Sequence, residues 1–600
     1  MRRYLFAFLL CFGSFAPAVG AQAAAVQAKP TAAALAKPTS YQLQMHVKIP
    51  LRDGVHLNAT LYKPSPISGP LPVVFMFSPY PDDTEHPSGS YFAARGYIYA
   101  YVDVRGRGDS EGVFHPLDEA QDGYDVVEWF AKQPWSNGKV AMFGGSYAGM
   151  DQWQAAGLHP PHLVTIAPVA SVRPAVDFPF QNGIAGPYML QWLTFTTGHT
   201  LYSGVFNDDK LWEAAGKRLF LDKAAFNQFD RYAGNTETNF QLWLSHPEID
   251  SFWKRLQLSR EQVASVNIPT LVITGAQDGD QPGTLSFYAD HITTTDAKTL
   301  ANYFLVIGPW NHPGTREPKA DFGGQHYGPA SLVDVLRLHR EWYDYTMKSG
   351  AKPAFLQKPV AYYVSGTGAE CWKYADSLAT VSTKSQTLYL DATGGATSIY
   401  HSGSLLPAQG NVTGGSFLSD PNDLSSAEHT DNQPGFDLHG DGLIFHSEPF
   451  SADTEIDGRV DLHLWLSIDA PDTDLGYQLY LVAPDGKTRF LDFGLTRARY
   501  RHSFEHAEPI HENQPEEYRF PNSSWFAVRA PKGSQLRLIV GSLNSPDLEK
   551  NWNSMKPVAE QTGADAYVAH IKLLQSPDHP STLTLPLGDA AATCKASADW

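Results

Sequence analysis

Five short runs, at positions 73–77, 97–104, 140–143, 271–274 and 304–307, are apolar at almost every residue. A strand with one wet face alternates; unbroken apolar runs of this length suit strands covered on both sides, as in a parallel sheet with helices on each face. Helix candidates at 124–133 and 148–156 fall between the runs, so this part of the chain reads as a doubly wound α/β domain. Ahead of it, Leu43, Met45, Val47 and Ile49 alternate with polar residues, as do Val55, Leu57 and Leu61, across a turn at Arg52-Asp53-Gly54. That pattern predicts a hairpin with period-2 burial.

The rhythm breaks between 170 and 262, which is dense in aromatics (Phe178, Trp192, Trp212, Trp243 and Trp253 among them) and poor in strand-like runs. A helical insertion between sheet strands fits, placed to roof a site. The sheet pattern resumes at Ile268-Pro269 and closes with an amphipathic helix near 333–347. Past residue 353 the chain turns β-rich: Val460, Leu462, Leu464, Leu466 and Ile468 alternate strictly, and Pro484-Asp485-Gly486 marks a turn. Many short strands with few helices predict a β-sandwich or jelly roll. The expected layout is core at 41–169, cap at 170–262, core again at 263–352, and an all-β domain at 353–600.

Arg2 and Arg3 precede an apolar run at 4–12 and then small residues up to Ala23. This is the pattern of an export signal over 1–23, too short to span a bilayer, with 24–40 as a flexible leader. The expected destination is the periplasm or the exterior, with no stable membrane insertion after cleavage. Sec and twin-arginine export both stay open. Of three cysteines, Cys11 leaves with the signal, and Cys371 and Cys594 either form one disulfide or stay as separate thiols. The net charge is −18 over 600 residues, which supplies no basic face for a nucleic acid to follow. No cofactor is implied, and no metal site: thiolate zinc spacing and phosphate loops do not occur. Oligomerisation stays open.

The chemistry centres on Val140-Ala141-Met142-Phe143-Gly144-Gly145-Ser146-Tyr147-Ala148-Gly149. An apolar strand runs into a glycine-flanked serine and then a helix-forming stretch, the context of a nucleophile elbow. It departs from the usual G-x-S-x-G, because Ala148 holds the fifth position and the glycine follows at 149. A serine hydroxyl needs an oriented base, and in such folds the acid and then the histidine follow in chain order. Asp278, with Asp280 as the alternative, follows the run at 271–274; His312 follows the run at 304–307. Both stand at strand C-terminal ends, where open α/β sheets place their sites. The backbone N–H of Tyr147 is one candidate oxyanion donor. The loop Phe77-Ser78-Pro79-Tyr80-Pro81 has no glycine run to expose amides, so the Tyr80 hydroxyl is either the second donor or an ordinary packed tyrosine.

With these motifs the chain resembles the cocaine esterase, α-amino acid ester hydrolase and X-Pro dipeptidyl-peptidase group of α/β-hydrolases (the CocE/NonD type). The carriers are Ser78-Pro79-Tyr80, the stretch from Asp103 to Gly112, Gln133-Pro134-Trp135-Ser136-Asn137-Gly138, the elbow, Gly308-Pro309-Trp310-Asn311-His312 and Ala470-Pro471-Asp472-Thr473-Asp474. The resemblance implies an α/β-hydrolase core with a helical cap and a C-terminal jelly roll. It also implies a catalytic Ser146, Asp278 and His312, with Tyr80 and Tyr147 at the oxyanion. Family members usually carry Gly-Trp-aromatic-Asp at the acid; here Ala276 and Gln277 replace the bulky pair, which predicts a larger or wetter pocket wall.

For the substrate, the resemblance points to a small ester or amide, with ester hydrolysis preferred because the X-Pro peptidases usually carry an additional N-terminal domain. Asp280 and Asp177 are candidates for binding a substrate ammonium, although Gln281 stands where a second acid is expected. Trp153 either lines an acyl pocket with the cap aromatics or packs within its helix. Two lures are set aside. Arg107-Gly108-Asp109-Ser110 spells an adhesion tetrapeptide inside the family signature, and Asp469, Asp472 and Asp474 lack the glycine and glutamate of a calcium loop. The reading from another class is an inert, secreted glycan- or surface-binding protein.

Overall fold

The computed structural model describes residues 40–595 apart from 82–83, 295, 367, 369, 410–413, 429–441 and 593. The export segment and nearly all of the leader lie outside the described residues.

Ten strands form the first sheet, in the spatial order Ser40–Pro50, His56–Ser65, Ile98–Asp103, Leu71–Ser78, Ser136–Gly145, Leu163–Val169, Thr270–Gln277, Tyr303–Asn311, Val360–Val364 and Cys371–Ala375. From Ile98–Asp103 to Val360–Val364 all neighbours run parallel. The apolar runs are explained by burial on two faces. Val73, Phe75 and Phe77 join a core with the helices Ala120–Ala131 and Tyr147–Gly157, while Val74 and Met76 point the other way, toward the helix Val335–Lys348.

Two expectations need correction here. Leu43 and Met45 are exposed, because a bulge between Gln44 and Val47, with His46 at φ 56°, breaks the hairpin's alternation. The first sheet also extends past the boundary expected at 352, since the strands Val360–Val364 and Cys371–Ala375 hydrogen-bond into it. Cys371 is therefore on an edge strand of the first sheet. It is bonded to Cys594, with 5.6 Å between the Cα atoms, and the bond ties the chain's far end to that edge.

Between Leu163–Val169 and Thr270–Gln277 come the short helices of the cap, among them Tyr188–Phe195, Asp209–Leu221 and Thr238–Leu244. Their aromatics pack on one another and on Tyr147 and Met150 of the helix after the elbow. The C-terminal part is a 13-stranded, largely antiparallel array, in which Asp461–Ile468 buries alternate residues as its sequence pattern requires. Asp472 and Asp474 are buried partners of Arg499 and Arg497, and Asp469 pairs with His570. Arg497 also reaches Glu549 and the Gly183 carbonyl, joining the all-β domain to the cap. Among the described residues no helix is long and apolar enough to cross a membrane.

Candidate active site

The strand Ser136–Gly145 ends at Ser146, which holds φ 62° and ψ −124° before the helix Tyr147–Gly157 begins. A non-glycine residue there is strained, and its surroundings must hold it. Ser146 N–H donates to the Val169 carbonyl at 2.8 Å. The shifted glycine has a packing reason: a Cβ at Gly149 would meet Ser171 Oγ and Val169 O at 2.8 Å. Ala148 is tolerated because it faces Gly144, whose missing Cβ would lie 2.8 Å away.

Thr270–Gln277 and Tyr303–Asn311 are adjacent parallel strands with Asn311 opposite Gln277, so Asp278 and His312 emerge side by side. His312 Nδ1 lies 2.8 Å from Asp278 Oδ1. The same Oδ1 accepts the Asp280 N–H at 3.1 Å, and Oδ2 accepts the Thr274 hydroxyl at 3.4 Å. Asp280 Oδ2 stands 3.4 Å from His312 Nδ1, while its Oδ1 is buried with no hydrogen-bond partner. Burial pushes the Asp280 carboxyl well above the usual range, against the pull of the nearby His312. Ser146 Oγ makes no hydrogen bond among the described residues. The histidine loop nevertheless reaches the elbow: a Cβ at Gly145 would come 2.7 Å from Arg316 Nη1.

The Tyr80 hydroxyl accepts the Trp192 indole N–H at 3.0 Å, leaving its own proton to donate. Burial pushes its ionisation up, so it stays a neutral donor. Its ring lies edge-on to Tyr147 at 6.5 Å and stacks on Phe195 of the cap. Arg107, fully buried, holds the preceding Pro79 carbonyl at 2.8 Å and the cap carbonyls of Thr196, Gly198 and Thr200. In the tetrapeptide at 107–110 the arginine is thus a buried brace that a receptor could not reach, although Asp109 beside it is exposed. The Tyr147 ring stacks on Trp192, and its hydroxyl donates to Glu119.

Several candidates have other work. Trp153 is fully buried in the core beneath the sheet, stacked on Phe287 at 5.2 Å, because it is on the helix face turned away from the cap. Asp177 accepts the backbone N–H groups of Arg173 and Gly283, at 2.8 and 2.7 Å, so one oxygen holds its own loop and the other the first turn of the helix Gln281–His291. Ala276 and Gln277 face a small cavity against Phe526 and Arg489 of the all-β domain, a place where neither Ser146 nor His312 contributes to the lining. Gln281 is fully buried and exchanges hydrogen bonds with the Trp525 backbone. Asp278, Asp280 and His312 also bring three ligand atoms within 4.8 Å of one another, close enough to hold a cation.

Three residues escape the sequence reading. Asp151 and Glu119 are buried together beside Tyr147, both carboxyls pushed well up by burial, and neither Asp151 oxygen has a partner. The one sequence signal was an acid, Asp151, on the helix face shared by Tyr147, Met150 and Gln154. Arg316 is one turn beyond His312 and carries no motif of its own.

The sequence profile described as X-Pro dipeptidyl-peptidase (S15 family) matches residues 53–314, and that of the X-Pro dipeptidyl-peptidase C-terminal non-catalytic domain matches 354–584. The cocaine esterase of Rhodococcus sp. (strain MB1 Bresler) is 27% identical over 588 residues, covering 91% of this chain and 99% of that protein. An α-amino acid ester hydrolase structure superposes with a TM-score of 0.77 at 24% identity, over 93% of this chain and 98% of the other. An aminopeptidase from a marine sediment Thaumarchaeota archaeon gives 0.76 at 20% identity, over 92% and 97%. With an elbow serine, a histidine–aspartate pair at neighbouring strand ends and two matched domains, the chain belongs to the CocE/NonD, X-Pro dipeptidyl-peptidase family of serine hydrolases.

Proposed function

We propose that this protein is an exported hydrolase that cleaves small carboxylic esters through an acyl-enzyme on Ser146. The observation that carries the reading is the 2.8 Å contact between His312 Nδ1 and Asp278 Oδ1 at the same sheet rim as the strained Ser146. With Nδ1–H committed to Asp278, Nε2 is the nitrogen left to take the serine proton. Ser146 Oγ attacks the ester carbonyl as its proton passes to Nε2, and the oxyanion is met by the Tyr147 N–H and the Tyr80 hydroxyl. Collapse expels the alcohol, which takes the proton back from His312. Water then repeats the sequence on the acyl-enzyme, releasing the acid and restoring Ser146.

Export is supported by the charged, apolar and small-residue segments of positions 1–23 and by the bonded Cys371 and Cys594, a pairing that suits an oxidising compartment. For the ammonium reading, only Asp280 keeps an uncommitted oxygen, since Asp177 is spent on backbone amides. The test is a fluorophosphonate probe with 4-nitrophenyl esters. Wild type is expected to label at Ser146 and turn over, and Ser146→Ala to do neither. Folded wild type that neither labels nor hydrolyses an ester panel defeats the reading.

A further inference from the structure

One partly buried guanidinium beside the elbow has no side-chain partner among the described residues. Arg316 follows His312 through the short turn Pro313–Thr315 and lies back over the elbow, with Nη1 and Cδ at 2.7 and 3.2 Å from where a Gly145 Cβ would be. Its side chain is partly buried, yet it makes no hydrogen bond, ion pair or ring contact among the described residues. Among the described residues, the most deeply buried arginines each have a partner, even where one nitrogen is left over. Arg107 holds backbone carbonyls, Arg173 pairs with Asp290, and Arg497 and Arg499 pair with Asp474 and Asp472. Arg316 instead acts electrostatically on the hydroxyls of Tyr80 and Tyr188 and on Asp280, without pairing with any of them.

A guanidinium presents a planar fork of donors that matches a carboxylate, and the charge-assisted bonds it forms are among the stronger ones in proteins. We infer that Arg316 is a specificity-determining residue which grips a carboxylate carried by the substrate, so that half esters of short dicarboxylic acids are the preferred class. The inference rests on Ser146 as the nucleophile. Because the guanidinium lies against the residue immediately before Ser146, the carboxylate it takes must be only a few bonds from the carbonyl under attack. A cationic amino ester would instead meet the positive charge of Arg316.

The experiment compares 4-nitrophenyl hemiglutarate with its methyl ester, the same chain without the charge, on wild type, Arg316→Met and Arg316→Lys. Wild type is expected to favour the half ester in kcat/KM. The ratio of the two values is expected to fall by about 10–100-fold in Arg316→Met, as for the loss of a charge-assisted hydrogen bond, and by less in Arg316→Lys. Calorimetry with glutarate should show binding to wild type and none to Arg316→Met. Equal rates on both esters in wild type, or a ratio unmoved in both variants, overturns the assignment while leaving Ser146 chemistry intact. Failure of probe labelling and of both esters, with glutarate still bound through Arg316, would overturn the hydrolase reading and keep the anion site.

Discussion

Replacing Asp278 by Asn separates two carboxylates that compete for one imidazole. His312 Nδ1 is 2.8 Å from Asp278 Oδ1 and 3.4 Å from Asp280 Oδ2. At an effective dielectric of about 20, unit charges at those distances attract an imidazolium by roughly 6 and 5 kcal/mol, so distance alone hardly ranks them. Hydrogen bonding and ionisation do. Asp278 accepts from His312, the Asp280 N–H and the Thr274 hydroxyl. Asp280 has an oxygen with no donor, and burial pushes its carboxyl well up. Burial thus disfavours the charged form of Asp280, while Asp278 holds the shorter, hydrogen-bonded contact with the imidazole. Asp278→Asn should keep the fold and lose about 10³–10⁴ in kcat, the scale of an uncompensated imidazolium, with KM little moved. Asp280→Asn should stay within about tenfold, or ~1.4 kcal/mol. The assay is steady-state hydrolysis of 4-nitrophenyl acetate, with the rate of fluorophosphonate labelling as a second reading of nucleophile activation. A larger loss in Asp280→Asn, or an Asp278→Asn enzyme that keeps a tenth of its turnover, would refute the reasoning.

Tyr80→Phe removes one oxyanion donor and should lower kcat by about 10²–10³ without moving the melting temperature; a change confined to KM would make Tyr80 a wall residue. Gln281→Leu strands the buried Trp525 N–H and C=O and the Gly275 C=O, and denaturant unfolding should show a loss of about 3 kcal/mol. Asp103 is buried, with its carboxyl pushed from 3.8 to about 6. The native form holds the proton more tightly than the unfolded chain, so this contribution to stability is full below pH 3.8 and lost as pH rises through 6, a change on the order of 3 kcal/mol. Asp103→Asn keeps an acceptor for Asn58 Nδ2 and should flatten the urea midpoint across that window; an unchanged slope argues against burial as the cause.

The elbow and the candidates for acid and base were legible because each is tied to a strand end, and strand ends show in apolar periodicity. The order Ser146, Asp278, His312 then follows the chain itself. Trp153 was ambiguous for a physical reason: an indole on a helix serves a pocket or a core equally well, and only the helix's rotation against Phe287 decides. Asp177 looked like a substrate ligand because spacing does not reveal that two backbone N–H groups, one of them more than 100 residues away, would claim both its oxygens. The bulge at His46 is invisible to an alternation count, since it shifts register without changing composition.

Local pattern sufficed for the covered parallel strands, the tight serine turn and the alternating strands of the C-terminal half, because these depend on neighbours a few residues apart. The domain boundary, the bonded cysteines, the brace made by Arg107 and the unpartnered Arg316 emerged only in three dimensions. Each depends on which groups meet across long stretches of chain, and hydrogen bonds and charges are satisfied or left open by that meeting alone.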